Sequence, residues 1–295
     1  MTRTDAVSVL MAGLVDDAGL FPPTALPMAA AVARHRADLT AGSGVLTHRF
    51  LCPATRIGEL CAHLNPADRF RLGLIADAGA TGLAAAVAEI DGAVNLKQAS
   101  VEFPLARTDL ADPAAALDAA AAAVTAAGVP DEVPLFIEPA SLSDVDRLAE
   151  AVAARATPRP VGVKLRCGGV RSDLFPPPGV LAGALVTVVR AGVAVKATAG
   201  LHHAVRYTDP ETGFVHHGYL NLLLAVADAI GAAGVDTVAD TLRSRDPAAL
   251  ALRAAALDDD AAAMLRRTFV SYGSCSTGVP RAEAGELGLL CVRST

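Results

Sequence analysis

The stretch VGVKLRCGGVRSDLFPPPGVLAGALVTVVRAGVAVKAT, residues 161–198, decides the fold. It opens on a short strand pattern at 161–166, continues through a helical pattern at 179–191 and closes on a second strand pattern at 193–198. A strand, a helix and a second strand in this order form one β-α-β unit, whose two strands lie parallel in one sheet. Gly192 stands where the glycine that ends a helix belongs. The stretch therefore predicts neighbouring parallel strands joined by a helix.

The same alternation extends over the whole chain. Six further strands are predicted at 16–21, 45–50, 71–76, 98–103, 134–138 and 268–273, with helices between them at 26–39, 56–64, 80–90, 112–127 and 142–155. The eighth strand follows the seventh only after an insert at about 201–258, which holds a loop at 201–218 and a helix at 219–231. Further helices are predicted at 247–256, 259–267 and 280–290. Eight such units predict an α/β protein, a single (β/α)8 TIM barrel over residues 1–295 with a helical insertion between strands 7 and 8.

Composition limits the classes of partner. The net charge is −6, and the chain has no basic stripe interleaved with aromatic residues, so we expect no nucleic-acid partner. The longest apolar run, near 180–195, is interrupted by Arg190, and no signal peptide is evident, so we expect no membrane partner. The five cysteines are scattered without a paired spacing, which favours a reducing, cytoplasmic location. The many small apolar residues are compatible with a homo-oligomer.

Charged residues fall on the inner face of the predicted barrel. Alternation along strand six sends Val163 and Leu165 outward and the side chains of Lys164 and Arg166 inward. The same rule sends Lys196 inward from strand seven. A buried lysine needs a carboxylate partner or a lowered pKa, and two glutamates stand at the ends of strands four and five: Glu102 and Glu138.

This cluster predicts Schiff-base chemistry. A lysine that is desolvated, or that lies beside another cation, has a lowered pKa and becomes a nucleophile toward carbonyl groups. The iminium that forms is an electron sink, and a carboxylate can then move the protons. The predicted function is a lyase or aldolase that acts on a small carbonyl compound, which could be anionic, with no cofactor. Lys164 is the predicted nucleophile, and Glu102 or Glu138 the proton carrier.

Four segments in this order resemble the class I deoxyribose-phosphate aldolase group: residues 100–103, 136–138, 162–166 and 195–200. The resemblance implies that Lys164 forms the Schiff base, that Lys196 lowers its pKa and that Glu102 assists proton transfer. That family has Lys-Thr-Ser-Thr-Gly where this chain has Lys-Leu-Arg-Cys-Gly, so the substrate does not carry over. The run at 196–203 also resembles a bacterial β/α-barrel family, which implies the same fold and no particular reaction.

The remaining candidates lie in loops at the predicted carboxyl ends of the strands. Glycines and a serine there could present backbone N–H groups to an anion, and Arg166 could clamp it. The predicted substrate-binding residues are Arg166, His202, His203, His48, Arg49, Gly169, Gly200 and Ser274, with Asp77 as a weaker candidate. Cys167 and Cys275 are near the mouth but have no histidine at a telling spacing, and Asp16 and Asp17 are expected to be structural.

Two other functions remain open from the sequence. In the first, histidines of the loop after strand seven and a glutamate hold a divalent ion, and the protein is a metal-dependent lyase or isomerase whose lysines bind an anionic substrate. The candidate histidines are His202, His203, His216 and His217. Alternatively, the barrel could bind a small anion without catalysis.

Overall fold

The computed structural model describes residues 4–155 and 157–290 and contains a closed barrel of eight parallel strands. The strands are β1 (Val15–Asp17), β2 (Leu46–Pro53), β3 (Phe70–Ile75), β4 (Leu96–Pro104), β5 (Leu135–Glu138), β6 (Val161–Arg166), β7 (Ala194–Thr198) and β10 (Phe269–Ser274). Their order around the barrel is β1-β10-β7-β6-β5-β4-β3-β2. The predicted TIM barrel is confirmed, since each strand lies beside the next one along the chain and β10 closes the ring.

Helices occupy the connections between strands. They are α1 (Thr4–Met11), α2 (Met28–Ala41), α3 (Ile57–His63), α4 (Gly79–Asp91), α5 (Pro113–Ala126), α6 (Val145–Ala153), α7 (Pro178–Arg190), α8 (Tyr219–Ile230), α9 (Val235–Arg243), α10 (Pro247–Ala255), α11 (Asp259–Thr268) and α12 (Gly278–Glu286). Two of them, α1 and α9, were not predicted. The sequence of α9 is rich in valine, threonine and aspartate, which have modest helix propensity, and burial of Val238 and Leu242 stabilises it instead.

The loop predicted at 201–218 contains a small antiparallel hairpin, formed by β8 (Tyr207–Thr208) and β9 (Val215–His216). Two-residue strands are too short to show an alternation of polar and apolar residues, so this hairpin was not predicted. The hairpin follows β7 directly and stands at the carboxyl end of the barrel. It lies beside the loops in which barrel enzymes place their reactive groups.

The two faces of the strands differ as predicted for β6 and β7. Val163, Leu165, Val195 and Ala197 are buried in the apolar layer between the strands and the helices. Lys164 and Lys196 are on the opposite face and are also buried, at 4% and 0% exposure. The barrel interior is therefore charged, while the layer around it is apolar.

Two strand ends differ from the prediction by three or more residues, and both lie next to charged residues. The first strand was predicted at 16–21 but ends at Asp17, after which the chain turns toward Phe21. The second was predicted at 45–50 but continues to Pro53. Proline is tolerated at a strand end because its missing N–H need not join the ladder.

One helical stretch, Ser172–Arg190, is long and apolar enough to cross a membrane by length and composition alone. In the barrel most of it forms α7, whose Leu181, Leu185 and Val188 are fully buried. Its apolar side therefore packs as that of an outer helix of the barrel.

Candidate active site

Seven alternating charges run through the barrel interior, each within salt-bridge distance of the next. We call this series the charge chain; its members are, in order, Arg49, Asp16, Lys196, Glu102, Lys164, Glu138 and Arg166. Four members are cations and three are carboxylates, so the chain carries one positive charge in excess when all are ionised. It begins at a nearly buried arginine and ends at an arginine whose side chain is 45% exposed.

Asp16 anchors the deep half of the charge chain. Its carboxylate lies 3.1 Å from Arg49 Nη1 and 2.7 Å from Lys196 Nζ. It also accepts hydrogen bonds from the hydroxyls of Thr47, at 2.6 Å, and Ser271, at 2.8 Å. Asp16 was expected to be structural, and its side chain points from β1 into the barrel, where it contacts Lys196. Asp16 thus joins the lysine cluster.

Glu102 lies between the two lysines and contacts both. One oxygen is 2.6 Å from Lys196 Nζ and the other is 2.5 Å from Lys164 Nζ. Lys164 also lies 2.9 Å from Glu138, whose other oxygen is 2.6 Å from Arg166. The four residues predicted as catalytic are therefore brought together in one cluster.

Strand register explains this convergence. The Cα atoms of Lys164 and Lys196 are direct partners across β6 and β7. Gly162 precedes Lys164 by two residues on the same face, and a Cβ there would lie 2.6 Å from the Ala194 carbonyl oxygen and 2.8 Å from the Phe136 ring. Glycine at this position lets the aromatic ring fill the space below the lysines, and Lys196 Nζ lies 5.3 Å from the centre of that ring.

The pKa of Lys164 lies above its usual value, opposite to the predicted direction. Burial lowers the pKa of this ammonium, but the charges of Glu102 and Glu138 outweigh burial and raise it. Burial likewise raises the pKa of Glu102, yet Lys164 and Lys196 outweigh it and bring the value to about 2. The sequence could place a second cation near Lys164, but Glu102 separates the two lysines.

A cavity of about 300 Å³ opens at the carboxyl end of the barrel, and Lys164 and Glu138 line it. The wall is mainly apolar and includes Phe21, Leu51 and Ile75. Glu102, Lys196 and Asp16 are fully or almost fully buried and do not line it. Lys164 is therefore the lysine of the charge chain that a molecule in the cavity would meet.

Several predicted binding residues also line this cavity. They are Arg166, Gly169, Gly200 and His202. Gly169 and Gly200 have a packing role as well, because a Cβ at Gly169 would overlap Leu174 Cδ1 and a Cβ at Gly200 would lie 3.0 Å from the Cys167 carbonyl oxygen. Cys275 lines the cavity too, and its Sγ atom is 3.3 Å from Nδ1 of His202. Sequence spacing gave no indication of this pair.

Other predicted binding residues lie elsewhere. His203 is paired with Glu283 at 2.5 Å, and Ser274 is buried with its hydroxyl accepting from the Ser276 N–H. His48 and Arg49 were expected at a strand end, but β2 extends four residues beyond Arg49. Arg49 instead points into the deep barrel, and His48 adopts a left-handed backbone with φ 52°. Neither residue lines the cavity.

Asp77 does not line the cavity either, and binds Thr55. Asp17, expected to be structural, pairs with Arg34 and His35 outside the barrel. The thiol of Cys167 is fully buried, which raises its pKa to about 12. Cys291 lies outside the described residues.

The histidines of the long loop have separate protein partners. His217 contacts the Pro176 carbonyl oxygen through Nε2 at 2.8 Å, and His216 Nδ1 lies 3.3 Å from the Gly200 carbonyl oxygen. Within residues 4–155 and 157–290, no three His, Cys, Asp or Glu side chains are grouped as a metal site. The described geometry does not gather the ligand set that the metal-dependent alternative requires.

The composition of the chain adds a further signal. It contains three lysines among 25 basic residues, and two of the three are the buried pair Lys164 and Lys196. Arginine is permanently charged, whereas lysine can lose its proton and act as a nucleophile. Almost every other cationic position is an arginine, and Lys164 and Lys196 are the two buried positions at which the chain places an amine.

No family model matches this chain, and comparison with curated proteins finds no significant match.

Proposed function

We propose that this barrel is a lyase of the aldolase type, which forms a Schiff base between Lys164 and a small carbonyl compound. The observation that carries the proposal is a single lysine amine at the floor of a cavity, held between two carboxylates and backed by a second lysine. The order of these groups along the strands resembles that of the class I aldolases, which supports the same reaction type.

The carboxylates supply the proton transfers that such a reaction needs. Lys164 must lose a proton before it attacks a carbonyl carbon, and Glu102 and Glu138 are within 2.9 Å of its nitrogen. Proton transfer along such a contact gives a neutral amine and a neutral carboxylic acid without exchange with bulk solvent. The acid can then protonate the departing hydroxyl of the carbinolamine, so that water leaves as the iminium forms.

Lys196 has a positioning role in this scheme. It does not line the cavity, but it binds Glu102 and Asp16 simultaneously and thereby fixes the carboxylate that faces Lys164. When a neutral carbonyl compound has become an iminium, the positive charge remains at the position of the original ammonium. The carboxylates therefore stabilise the intermediate as they stabilise the resting lysine.

The raised pKa of Lys164 favours a second candidate function. A lysine that stays protonated could stabilise an enolate by hydrogen bonding, in a barrel lyase or isomerase that forms no covalent intermediate, or simply bind an anion. The excess positive charge of the charge chain supports an anionic ligand in either case.

Deuterium exchange tests whether Lys164 activates the α-carbon of a carbonyl compound, without knowledge of the natural substrate. An enamine formed on Lys164 returns a solvent deuteron to the α-carbon, so proton NMR in D₂O would show loss of α-protons from acetone, propanal or pyruvate. We expect exchange by the wild-type protein and loss of it in Lys164→Arg. Lys97→Arg is the matched control, because Lys97 is the remaining lysine and is exposed. Absence of exchange across these compounds would contradict the proposal.

A further inference from the structure

Cys275 and His202 form a second chemically reactive pair at the same cavity. The Cys275 Sγ atom lies 3.3 Å from His202 Nδ1, and both residues line the cavity wall. They are 73 positions apart, Cys275 just after β10 and His202 in the loop after β7, so closure of the barrel brings them together. Cys275 is 6% exposed as a residue, and the cavity gives small molecules access to it.

The imidazole can accept the thiol proton. Burial lowers the pKa of His202, against the opposing charge of Asp209, so the ring is neutral at pH 7. The neighbouring His216 ring, with its centre 5.6 Å away, is itself held neutral because burial lowers its pKa. A neutral imidazole beside a thiol is the arrangement that activates cysteine nucleophiles.

The other buried cysteines have no such partner. Cys52 and Cys167 contact backbone carbonyl oxygens, at 3.5 and 3.8 Å. Burial raises the pKa of each thiol to about 12. Cys61, on α3, is partly exposed and has a raised pKa through burial. Among the described cysteines, Cys275 therefore combines an imidazole with an open cavity.

We propose that Cys275, activated by His202, is a second nucleophile of this cavity that adds reversibly to small aldehydes. The sulfur attacks the carbonyl carbon and forms an S–C bond as the C=O π bond opens. The proton taken from the thiol by His202 passes to the resulting oxygen, which gives a thiohemiacetal with no other reactant. The choice of an aldehyde as ligand rests on the proposed function, whereas the reactivity of the thiol does not.

Competitive alkylation tests the reactivity of the thiol. The protein is treated briefly with iodoacetamide at pH 7, and labelling of each cysteine is read by peptide mass spectrometry. We expect Cys275 to react faster than Cys61, and His202→Gln to slow Cys275 by about tenfold, since an ordinary thiol is only a few per cent ionised at this pH. His63→Gln is the matched control, because His63 is exposed on α3, does not line the cavity and should leave the rate unchanged.

Two results would overturn the inference. One is labelling of Cys275 no faster than that of Cys61 in the wild-type protein, a comparison that needs no variant to fold. The other is an unchanged Cys275 rate in a folded His202→Gln protein, with folding checked by circular dichroism.

Protection by propanal tests the ligand class separately from the Schiff base. In Lys164→Arg, propanal at millimolar concentration should slow alkylation of Cys275, and dilution should restore it. If propanal protects Cys275 from alkylation but forms no adduct on a lysine of the wild-type protein, the thiol site is supported and the proposed function fails. A lysine adduct with no protection of Cys275 would contradict the thiohemiacetal and leave the proposed function intact.

Discussion

The substitution Glu102→Gln isolates the electrostatic centre of the site. It preserves the size of the side chain but removes the one charge that both lysines contact, at 2.5 and 2.6 Å. The side chains of Lys164 and Lys196 are 5% and 1% exposed, so water cannot replace the lost carboxylate. A glutamine oxygen can accept from one ammonium, while its amide N–H groups face the other.

The expected cost follows from breaking a buried ion pair. Removing one partner of such a pair typically costs about 3–5 kcal/mol, because the remaining charge is left buried without compensation. Lys164 retains Glu138 and Lys196 retains Asp16, which places the expected loss near the lower end, at about 3 kcal/mol. This loss is a large share of the free energy of unfolding of a typical domain, which is roughly 5–15 kcal/mol.

Urea denaturation followed by circular dichroism measures this loss and its pH dependence. In the variant, burial and the loss of the Glu102 charge lower the pKa of Lys164 in the folded state below the unfolded value of about 10.4. The unfolded chain then binds more protons between these two values, so the variant should regain stability relative to wild type as pH rises from 7 to 10. Glu59→Gln, which removes an exposed pair with Arg56, is the control and should change the urea midpoint little. A loss below about 1 kcal/mol, or a loss independent of pH, would refute this account of the charge chain.

Three further predictions concern a histidine, a glycine and the arginine at the mouth. Burial lowers the pKa of His217 to about 4, so the free energy of unfolding of the wild-type protein should fall by about 3 kcal/mol as pH drops from 6.5 to 4. Urea titrations of His217→Gln should show a smaller change in this free energy over the same pH range. Gly162→Ala should cost about 1–3 kcal/mol in urea denaturation because the strand must shift, whereas Gly183→Ala, with open space around it, should not destabilise. Arg166→Gln should lower the rate of deuterium exchange of pyruvate, relative to that of acetone, by about tenfold, because it removes a cation and leaves the Glu138 carboxylate to repel an anionic substrate. An unchanged ratio of the two exchange rates would exclude anion binding at Arg166.

Strand alternation was sufficient to predict much of the fold and the centre of the site. Lys164, Arg166 and Lys196 fall on the inner face of β6 and β7 because side chains on a strand repeat every two residues. These strands are apolar on their other face, so the period is easy to read from sequence. The glutamates were found because they follow strand patterns directly.

The parts that sequence missed depend on register and on distant contacts. Asp16 belongs to a three-residue strand, too short for any period to be read, and its pairing with Lys196 is set by barrel closure. The pKa direction of Lys164 depends on which group lies between the two lysines, and Glu102 comes from a strand 62 residues away along the chain. The contact between Cys275 and His202 likewise arises from loops that are far apart in sequence.

Borohydride trapping shows directly whether Lys164 forms a Schiff base with a carbonyl compound. The protein is incubated with acetone, propanal or pyruvate, reduced, digested and analysed by peptide mass spectrometry, with three lysines in the chain to distinguish. We expect a reduced adduct on Lys164 that is absent from Lys164→Arg and retained in Lys97→Arg. Reduction that leaves Lys164 unmodified with every compound, or that modifies Lys97 to the same extent, would contradict it.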